Sequence, residues 1–340
     1  MFCRLRFLIL WSLTQFILGC EFDQGRHELS GSTMGTAWNL TYYASPENRS
    51  SEPELVRLKV EKRLLDLNDT LSNYVEHSEI SRLNALASGK YTAISPELIE
   101  VFKVALRISK LTNGIYDISI SPLVELWGFG PSLPRFDIPS TAEIEANRLL
   151  VGLDSIIIDE GNNTILKSSA RSFDLSSLGK GYAVDVISDD LKNLGISNFL
   201  FEIGGEIFAS GTPAQDRLWK VAVRSPLPNS SGISKIFSLS EVAIATSGDY
   251  QNFFEHQNIR YSHIIDPITG SPVQSDLVSA TVISKDAITA DAFATAFILL
   301  GSEKAIALAN QRNLAIYLIK KDGEKYIELM SSKLLNYLEI

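Results

Sequence analysis

Apolar residues recur at helical spacing in several segments of the chain. Leucine and valine follow this spacing between residues 52 and 74, which predicts an amphipathic helix. Ser95 and Pro96 predict the start of a second helix, because serine caps a helix N-terminus and proline fits its first turn. Ser140 and Glu143 have the spacing of a capping box, which predicts a third helix. Further helices are predicted in the second half of 172–195 and over about 287–300 and 303–312.

Segments of alternating polarity lie between these helices. Residues 29–44 predict a strand interrupted at Met34-Gly35-Thr36. Gly161-Asn162 and Asp322-Gly323 each separate two apolar runs, which predicts hairpins. Further strands are predicted in 198–212, 219–226 and 235–248, and a tightly packed loop in 114–131. Because hairpins adjoin one another instead of alternating with helices, we predict an α+β fold with mixed, largely antiparallel sheets and packed helices.

The first twenty residues differ in character from the rest of the chain. Arg4 and Arg6 precede a mostly apolar run from Phe7 to Leu18, which is too short to span a bilayer comfortably and predicts a secretory signal peptide. The run ends in Ile-Leu-Gly before Cys20. This ending resembles the lipobox of bacterial lipoproteins, where a peptidase cleaves before a cysteine that then carries lipid. An ordinary signal peptide with an incidental cysteine is the alternative.

This interpretation divides the chain into three parts. We expect a signal peptide over 1–19, a lipidated tether over 20–30 and one catalytic domain over 31–335. The protein would then be anchored by lipid in the bacterial cell envelope and face the periplasm, with the choice between inner and outer membrane left open. The other cysteine, Cys3, would be removed with the signal peptide, so we expect no disulfide.

The overall charge excludes one class of function. The 340 residues include 40 Asp and Glu against 31 Lys and Arg, which gives a formal net charge of −9, and there is no basic run. Nucleic-acid binding needs clustered lysine and arginine to neutralise phosphates. We therefore expect no nucleic-acid partner.

Residues 286–297 have the sequence DAITADAFATAF, which predicts a buried helix that carries an acidic side chain. Asp291 and Thr295 lie four residues apart, so their oxygens should project from one face, with Cβ atoms about 5–6 Å apart. A buried carboxylate is costly unless a positive group meets it. A carboxylate and a hydroxyl suit Mg²⁺, which leaves its other positions to water and phosphate. Alternatively, Thr295 bonds a helix carbonyl and Asp291 caps a neighbouring segment.

A glycine-flanked lysine opens another predicted helix, in the segment SSLGKGYAVD. Free N–H groups and the dipole at a helix N-terminus attract phosphate, and Lys180 adds a positive charge. The segment is not a Walker P-loop, because Asp174 stands where that motif needs glycine and Gly181 where it needs serine or threonine. A solvated lysine at a helix start is the alternative.

His263 lies in a dense polar turn, YSHIIDPITG. Imidazole in such a turn can accept a proton near neutral pH, and a hydrogen-bonded structural histidine is the alternative. The chain has no HxxxH, HExxH or CxxC pattern, so a zinc site is not expected. It also lacks the GxSxG nucleophile elbow of serine hydrolases.

Taken in order, the motifs of the chain resemble one family. These motifs are Met34-Gly35-Thr36, LSNYVEHSEISRLN (71–84), YDISISPLVELWGFG (116–130), FDLSSLGKGYAVD (173–185), EIGGEI (202–207), ATSGDYQNFF (245–254), HIIDPITG (263–270) and DAFAT (291–295). On these motifs, the chain is similar to the ApbE family over about residues 30–330. The likeness implies an ApbE-like fold and the activity of an FAD:protein FMN transferase, an enzyme that is often a periplasmic lipoprotein.

The resemblance further implies a Mg²⁺-dependent reaction. FAD would be the substrate, a threonine or serine hydroxyl of a client flavoprotein would receive FMN, and AMP would be released. Asp291, Thr295 and a backbone oxygen of Ser177 would bind the metal, and His263 would be the base for the client hydroxyl. The residues implied to line FAD are Met34, Tyr74, Ile115, Tyr116, Asp117, Asp174, Lys180 and Ile265, with Gly204, Gly205 and Thr246-Ser247-Gly248 in the pocket wall.

Two positions depart from the pattern of many relatives, which have Ala at Gly179 and Arg at Ile268. We expect the first difference to loosen the turn that presents the metal-binding carbonyl. The second removes a candidate contact to phosphate or to the client. The chain has no D-G-x-T-[SA]-A client motif of its own, so we expect it to modify other proteins.

Two other functions stay open at this point. A Mg²⁺-dependent FAD pyrophosphatase would use the same metal site with water in place of the client hydroxyl, giving FMN and AMP. A non-catalytic lipoprotein would bind FAD and release no AMP. Both enzymatic functions require Asp291 to face a phosphate-sized cavity, and contact with a lysine or arginine in place of such a cavity would contradict them.

Overall fold

The structure of the chain is a computed structural model. It describes residues 25–338 with the exception of 45–47, 133–134, 136, 168, 214–216, 227–231, 249–251 and 258. The expected signal peptide and the lipidation residue Cys20 lie outside the described residues. None of the described helices combines the length and the apolar character needed to cross a membrane.

Many of the regular elements are short strands. They are β1 (Arg26–Thr33), β2 (Thr36–Tyr43), β3 (Tyr91–Ala93), β4 (Ile156–Asp159), β5 (Thr164–Lys167), β6 (Asn198–Ile203), β7 (Glu206–Ser210), β8 (Trp219–Arg224), β9 (Ile233–Leu239), β10 (Val242–Gly248), β11 (Phe253–His256), β12 (Ile259–Ser262), β13 (Ile265–Asp266), β14 (Ser271–Pro272), β15 (Leu277–Ser284), β16 (Ala315–Asp322) and β17 (Lys325–Met330). Eight of them form the central sheet in the order β1-β2-β6-β7-β10-β15-β16-β17. Neighbouring strands of this sheet are antiparallel throughout the described residues.

The described helices are α1 (Pro53–Leu71), α2 (Glu79–Ala85), α3 (Pro96–Leu111), α4 (Ser121–Leu126), α5 (Thr141–Arg148), α6 (Gly179–Asn193), α7 (Ala287–Leu300) and α8 (Ser302–Arg312). Of these, α1, α6, α7 and α8 pack against strands of the central sheet. The predicted caps are confirmed, because the Ser95 side chain accepts the Leu98 N–H and Ser140 and Glu143 complete a capping box. The predicted α+β fold with largely antiparallel sheets is therefore confirmed.

Strand β10 in the middle of the central sheet has buried residues on both faces. In β10, Ala243 and Ala245 pack under the helices, whereas Ile244 points into a second core with Trp219 and Phe237 of the β8–β9 hairpin. Successive residues of a strand point to opposite faces, so one short strand contributes side chains to both cores. Full burial of a side chain such as Ile244 contributes about 1.5–3 kcal/mol.

Helix α7 is placed by its contact with α6. The Asp185 carboxylate of α6 accepts the N–H groups of Ala287 (2.6 Å) and Ile288 (2.9 Å), which lack partners inside α7 because they begin that helix. One turn earlier, Gly181 lets the two helices touch. A Cβ on Gly181 would lie only 2.4 Å from the Ala287 carbonyl oxygen. This contact sets the distance between the start of α6 and the face of α7 that carries Asp291.

Several expectations from the sequence are wrong in detail. The tether does not extend to residue 30, because β1 begins at Arg26 and pairs with β2 along its whole length. The segment 114–131 is not only a loop, because it contains α4 after a 3-10 turn at 118–120. Strand β15 was not predicted, because it is buried on both faces and so shows no alternation of polarity. Helix α2 was missed because only seven residues form it.

Candidate active site

A cavity of about 790 Å³ lies at one end of the central sheet, beside the start of α6 and the middle of α7. Every residue that the resemblance assigned to the metal, to FAD or to the base lines this cavity: Met34, Tyr74, Ile115, Tyr116, Asp117, Asp174, Ser177, Lys180, His263, Ile265, Asp291 and Thr295. Gly204 and Thr246-Ser247-Gly248 also line it, whereas Gly205 does not. The fold thus brings together groups that are far apart in the chain.

Two tight turns form one wall of the cavity. Met34-Gly35 joins β1 to β2, and Gly204-Gly205 joins β6 to β7; all four residues have positive φ. Two-residue hairpin turns with positive φ at both positions match the twist of the strands they join. Met34 adopts φ 48° without being glycine, a conformation that costs energy and that recurs at functional sites. A Cβ on Gly204 would lie 2.8 Å from Thr36 Cγ2, so the two turns touch.

Asp291 and Thr295 project from one face of α7 into the cavity, as their spacing predicts. Asp291 is only 2% exposed, and its Oδ2 accepts the Gly181 N–H at 3.0 Å. The Thr295 hydroxyl lies 3.0 Å from the hydroxyl of Ser247 on β10. Its oxygen therefore faces the sheet side of the cavity, beside the carboxylate.

The positive partner of Asp291 within the protein is Lys180. The Lys180 Nζ lies 3.8 Å from Asp291 Oδ2 and 3.5 Å from Glu206 Oε2. Burial alone would lower the pKa of Lys180, but the carboxylates of Asp291 and Glu206 raise it above its ordinary value. Asp291 thus contacts a lysine and also faces a cavity large enough for phosphates. The lysine does not replace the cavity, so this contact does not contradict the enzymatic functions.

His263 is held through one ring nitrogen, and its other ring nitrogen makes no hydrogen bond with the residues that the structure describes, so it can act as a base. Its Nδ1 lies 2.9 Å from the backbone oxygen of Asn252, which also accepts the His263 backbone N–H at 3.1 Å. A carbonyl oxygen only accepts, so Nδ1 carries a proton and Nε2 is the acceptor of the neutral ring. Burial lowers the pKa of His263 below its ordinary value. The ring is therefore neutral at pH 7.

Two of the acidic residues expected to line FAD also cap the local backbone. Asp117 Oδ1 accepts the N–H and the hydroxyl of Ser119, at 2.7 and 2.6 Å. Asp174 accepts the N–H of Ser176 at 2.8 Å and also its hydroxyl. These bonds hold the turns that contribute Tyr116 and Ser177, whose hydroxyl oxygens lie 2.9 Å apart. The acids therefore shape the cavity whether or not they touch a ligand.

Sequence reasoning missed two residues that organise the site. Asn73 makes two hydrogen bonds to the segment before Ser177. Its Nδ2 donates to the Phe173 carbonyl at 2.6 Å, and its Oδ1 accepts the Leu175 N–H at 3.0 Å. Glu206 is 4% exposed and lines the cavity beside Lys180. A charged residue at an inward position of a strand, directly after two glycines, was the signal available for Glu206. The contacts of Asn73 left no comparable sequence signal.

The oxygen atoms of the cavity fit a Mg²⁺ ion. No three acidic, histidine or cysteine side chains of the described residues converge as a ready-made metal site. Mg²⁺ does not require one, because it keeps several waters and takes one or two carboxylates together with substrate phosphate. Asp291 and Thr295 supply a carboxylate and a hydroxyl. Oε2 of the buried Glu206 has no hydrogen-bond partner among the described residues. Burial raises the pKa of Glu206 to about 8 and raises the pKa of Asp291 above its ordinary value.

Comparisons with known proteins agree with this arrangement. The chain is 37% identical over 317 residues to the FAD:protein FMN transferase of Vibrio cholerae, covering 93% of this chain and 94% of that protein. It is 34% identical over 313 residues to that of Escherichia coli, covering 91% and 88%. The solved flavin transferase ApbE from Vibrio cholerae superposes with a TM-score of 0.85 at 36% identity, covering 92% of this chain and 99% of that structure. The apo flavinyl transferase ApbE of Pseudomonas stutzeri gives 0.84 at 33% identity, with 92% and 96% covered.

The family model agrees with the individual relatives. The model described as the ApbE family matches residues 34–318, a stretch that runs from the Met34 turn through the cavity to β16. The likeness therefore extends over the whole framework that holds the cavity together. From the match in sequence, the match in fold and the common cavity, we conclude that the chain belongs to the ApbE family.

Proposed function

We propose that this chain transfers FMN from FAD to a threonine or serine hydroxyl of a client flavoprotein and releases AMP. The observation that carries the proposal is the cavity, where a histidine base, a lysine ammonium and a buried carboxylate face one space. The similarity to flavin transferases of Vibrio cholerae and Escherichia coli supports the same activity.

His263 has the chemistry required at the client hydroxyl. The hydroxyl oxygen attacks the phosphorus on the FMN side of the FAD pyrophosphate, a P–O ester bond forms, and the bridging P–O bond breaks to release AMP. The hydroxyl proton passes to Nε2 of His263, the acceptor nitrogen of the neutral ring. The resulting imidazolium keeps its Nδ1–H bond to the Asn252 carbonyl. A base in this position contributes roughly 10²–10⁴-fold to the rate.

The start of α6 supplies positive charge for the pyrophosphate. Lys180 lies in the first turn of α6, where the positive end of the helix dipole adds to the charge of its ammonium group. Asp291, Thr295 and a backbone oxygen of Ser177 would hold Mg²⁺, which neutralises phosphate charge when bound. Ser247 keeps the Thr295 hydroxyl in place through their 3.0 Å contact. These residues act by positioning and by charge, as phosphoryl transfer requires.

An FAD pyrophosphatase is the second candidate function. The cavity opens to solvent beside Tyr74, which is 67% exposed and donates a 3.2 Å hydrogen bond to the Phe129 carbonyl. Water can therefore take the place of the client hydroxyl in front of His263. FMN and AMP would then be the products without any client.

One assay separates these functions from FAD storage. The mature protein is incubated with FAD and Mg²⁺, with and without a flavoprotein subunit that carries the client motif. AMP release that depends on the client, with a fluorescent client band on a denaturing gel, supports the transferase. AMP without client supports the pyrophosphatase, and FAD binding without AMP in either tube supports storage. In the transferase outcome, His263→Ala and Asp291→Ala should each lose turnover.

We also propose that the mature chain is lipid-anchored through Cys20 in the bacterial cell envelope and faces the periplasm. The support is the apolar run followed by Ile-Leu-Gly-Cys at residues 17–20. Labelled palmitate should enter the wild-type chain and not Cys20→Ser, and the variant should leave the membrane fraction. Equal labelling of both chains would contradict the anchor.

A further inference from the structure

Glu206 is a buried acidic residue that has no role in the reaction described above. It is the first residue of β7, directly after the Gly204-Gly205 turn, and only 4% of it is exposed. The turn and the register of β7 hold its carboxyl group inside the cavity. Burial of a charged group in this position is unfavourable unless a group of opposite charge or a hydrogen-bond partner lies nearby.

Glu206, Asp291 and Lys180 form one cluster in which two carboxyl groups face a single ammonium. The Lys180 Nζ lies 3.5 Å from Glu206 Oε2 and 3.8 Å from Asp291 Oδ2. Both distances exceed the roughly 2.7–2.9 Å of a charge-assisted hydrogen bond. Oε2 of Glu206 accepts no hydrogen bond from any residue that the structure describes. The ammonium therefore lies between two carboxyl groups, and neither is close enough for a charge-assisted hydrogen bond.

A divalent cation at Asp291 would change this balance. An ammonium and a dication that share one carboxylate repel each other, and burial strengthens the repulsion. Lys180 must therefore move away from Asp291 as the cation binds. Within the described part of the chain, the ion pairs of Lys180 go to Asp291 and Glu206 alone. Glu206 is the carboxyl group already placed to receive it.

We propose that Glu206 receives the Lys180 ammonium when a divalent cation binds Asp291, and so acts as a positioning residue for the metal site. The inference rests on the proposed function, because it requires a cation at Asp291. It differs from direct ligation by Glu206, which would leave the Lys180 ammonium without a carboxylate partner inside the cavity. It assigns to Glu206 an effect on metal affinity that is exerted through Lys180.

A double-mutant cycle tests this coupling without reference to turnover. Mn²⁺ serves as the probe, and the EPR signal of the free ion gives its Kd for the mature protein without FAD. Glu206→Gln should raise the Kd about tenfold, since the ammonium then stays on Asp291. Lys180→Met should lower the Kd, and adding Glu206→Gln to it should change the Kd by less than about twofold. Glu206→Asp keeps the charge and should stay within about threefold of wild type.

Three results would overturn the inference, and they are distinguishable from failure of the proposed function. An equal rise in Kd with and without Lys180 would mean that Glu206 acts on the ion directly. No rise in the single variant would mean that Glu206 takes no part. In both cases Mn²⁺ binding that is lost in Asp291→Asn would leave the proposed metal site intact. Wild-type protein without Asp291-dependent Mn²⁺ binding would overturn the inference and the metal site together. Circular dichroism confirms the fold of each variant, and Lys180→Gln repeats the cycle with a polar side chain.

Discussion

The contact between α6 and α7 at Gly181 offers a sharp test of how the site is built. A Cβ added at Gly181 would lie 2.4 Å from the Ala287 carbonyl oxygen and 2.8 Å from Asp291 Cβ. The backbone oxygen cannot rotate away, so Gly181→Ala must push the helices apart. Such overpacking costs about 1–3 kcal/mol. Separation also lengthens the 3.0 Å bond from the Gly181 N–H to the Asp291 carboxylate, which contributes about 1.5–3 kcal/mol as a bond to a charged group.

We therefore expect Gly181→Ala to lower the free energy of unfolding by about 2.5–6 kcal/mol, the sum of these two contributions. Urea unfolding followed by circular dichroism measures this change. Mn²⁺ affinity should fall as well, because Asp291 moves with α7.

Gly179→Ala is the matched control, two residues earlier in the same helix. A Cβ there meets no heavy atom within 4 Å. Alanine is the better helix former by up to about 1 kcal/mol, so stability should be unchanged or slightly higher. Unchanged stability would also indicate that glycine at 179 does not loosen the turn. A Gly181→Ala protein within about 0.5 kcal/mol of wild type, or an equal loss in both variants, would refute the packing argument.

Three further predictions concern the cap, the base and the hydroxyl of the site. Asp185→Ala should lower the free energy of unfolding by about 2–3 kcal/mol in urea denaturation, because two N–H groups of α7 lose their acceptor, whereas Asp185→Asn should lose less. The pKa of His263 is lowered by burial, so kcat/KM should hold down to pH 6.5 and fall only as the pH drops through that lower pKa; a fall already complete at pH 6.5 would contradict the role of the neutral ring. Thr295→Val should keep the thermal midpoint within a few degrees but weaken Mn²⁺ binding in the EPR titration about tenfold or more, and unchanged binding would remove Thr295 from the metal site.

Much of the site was available from the sequence because local rules determine it. The four-residue spacing of Asp291 and Thr295 fixes their common face once α7 forms, and the structure shows both in the cavity. The caps at Ser95 and Ser140 depend on neighbours three residues away, so they too were predicted correctly. Strand β15 was not predicted, because a strand that is buried on both faces shows no alternation of apolar and polar residues.

Only the tertiary structure decided which of these faces meet. Lys180, Glu206 and Asp291 come from α6, β7 and α7, and their separations depend on how a glycine contact and a hairpin turn place those elements. The proton on Nδ1 of His263 follows from a carbonyl eleven residues away, on the other side of the β11–β12 hairpin. Periodicity specifies which side of a helix or strand is buried, but not the partner that it is buried against. For this reason the sequence determined the elements and their polar residues, whereas packing determined the charge cluster and the tautomer of the base.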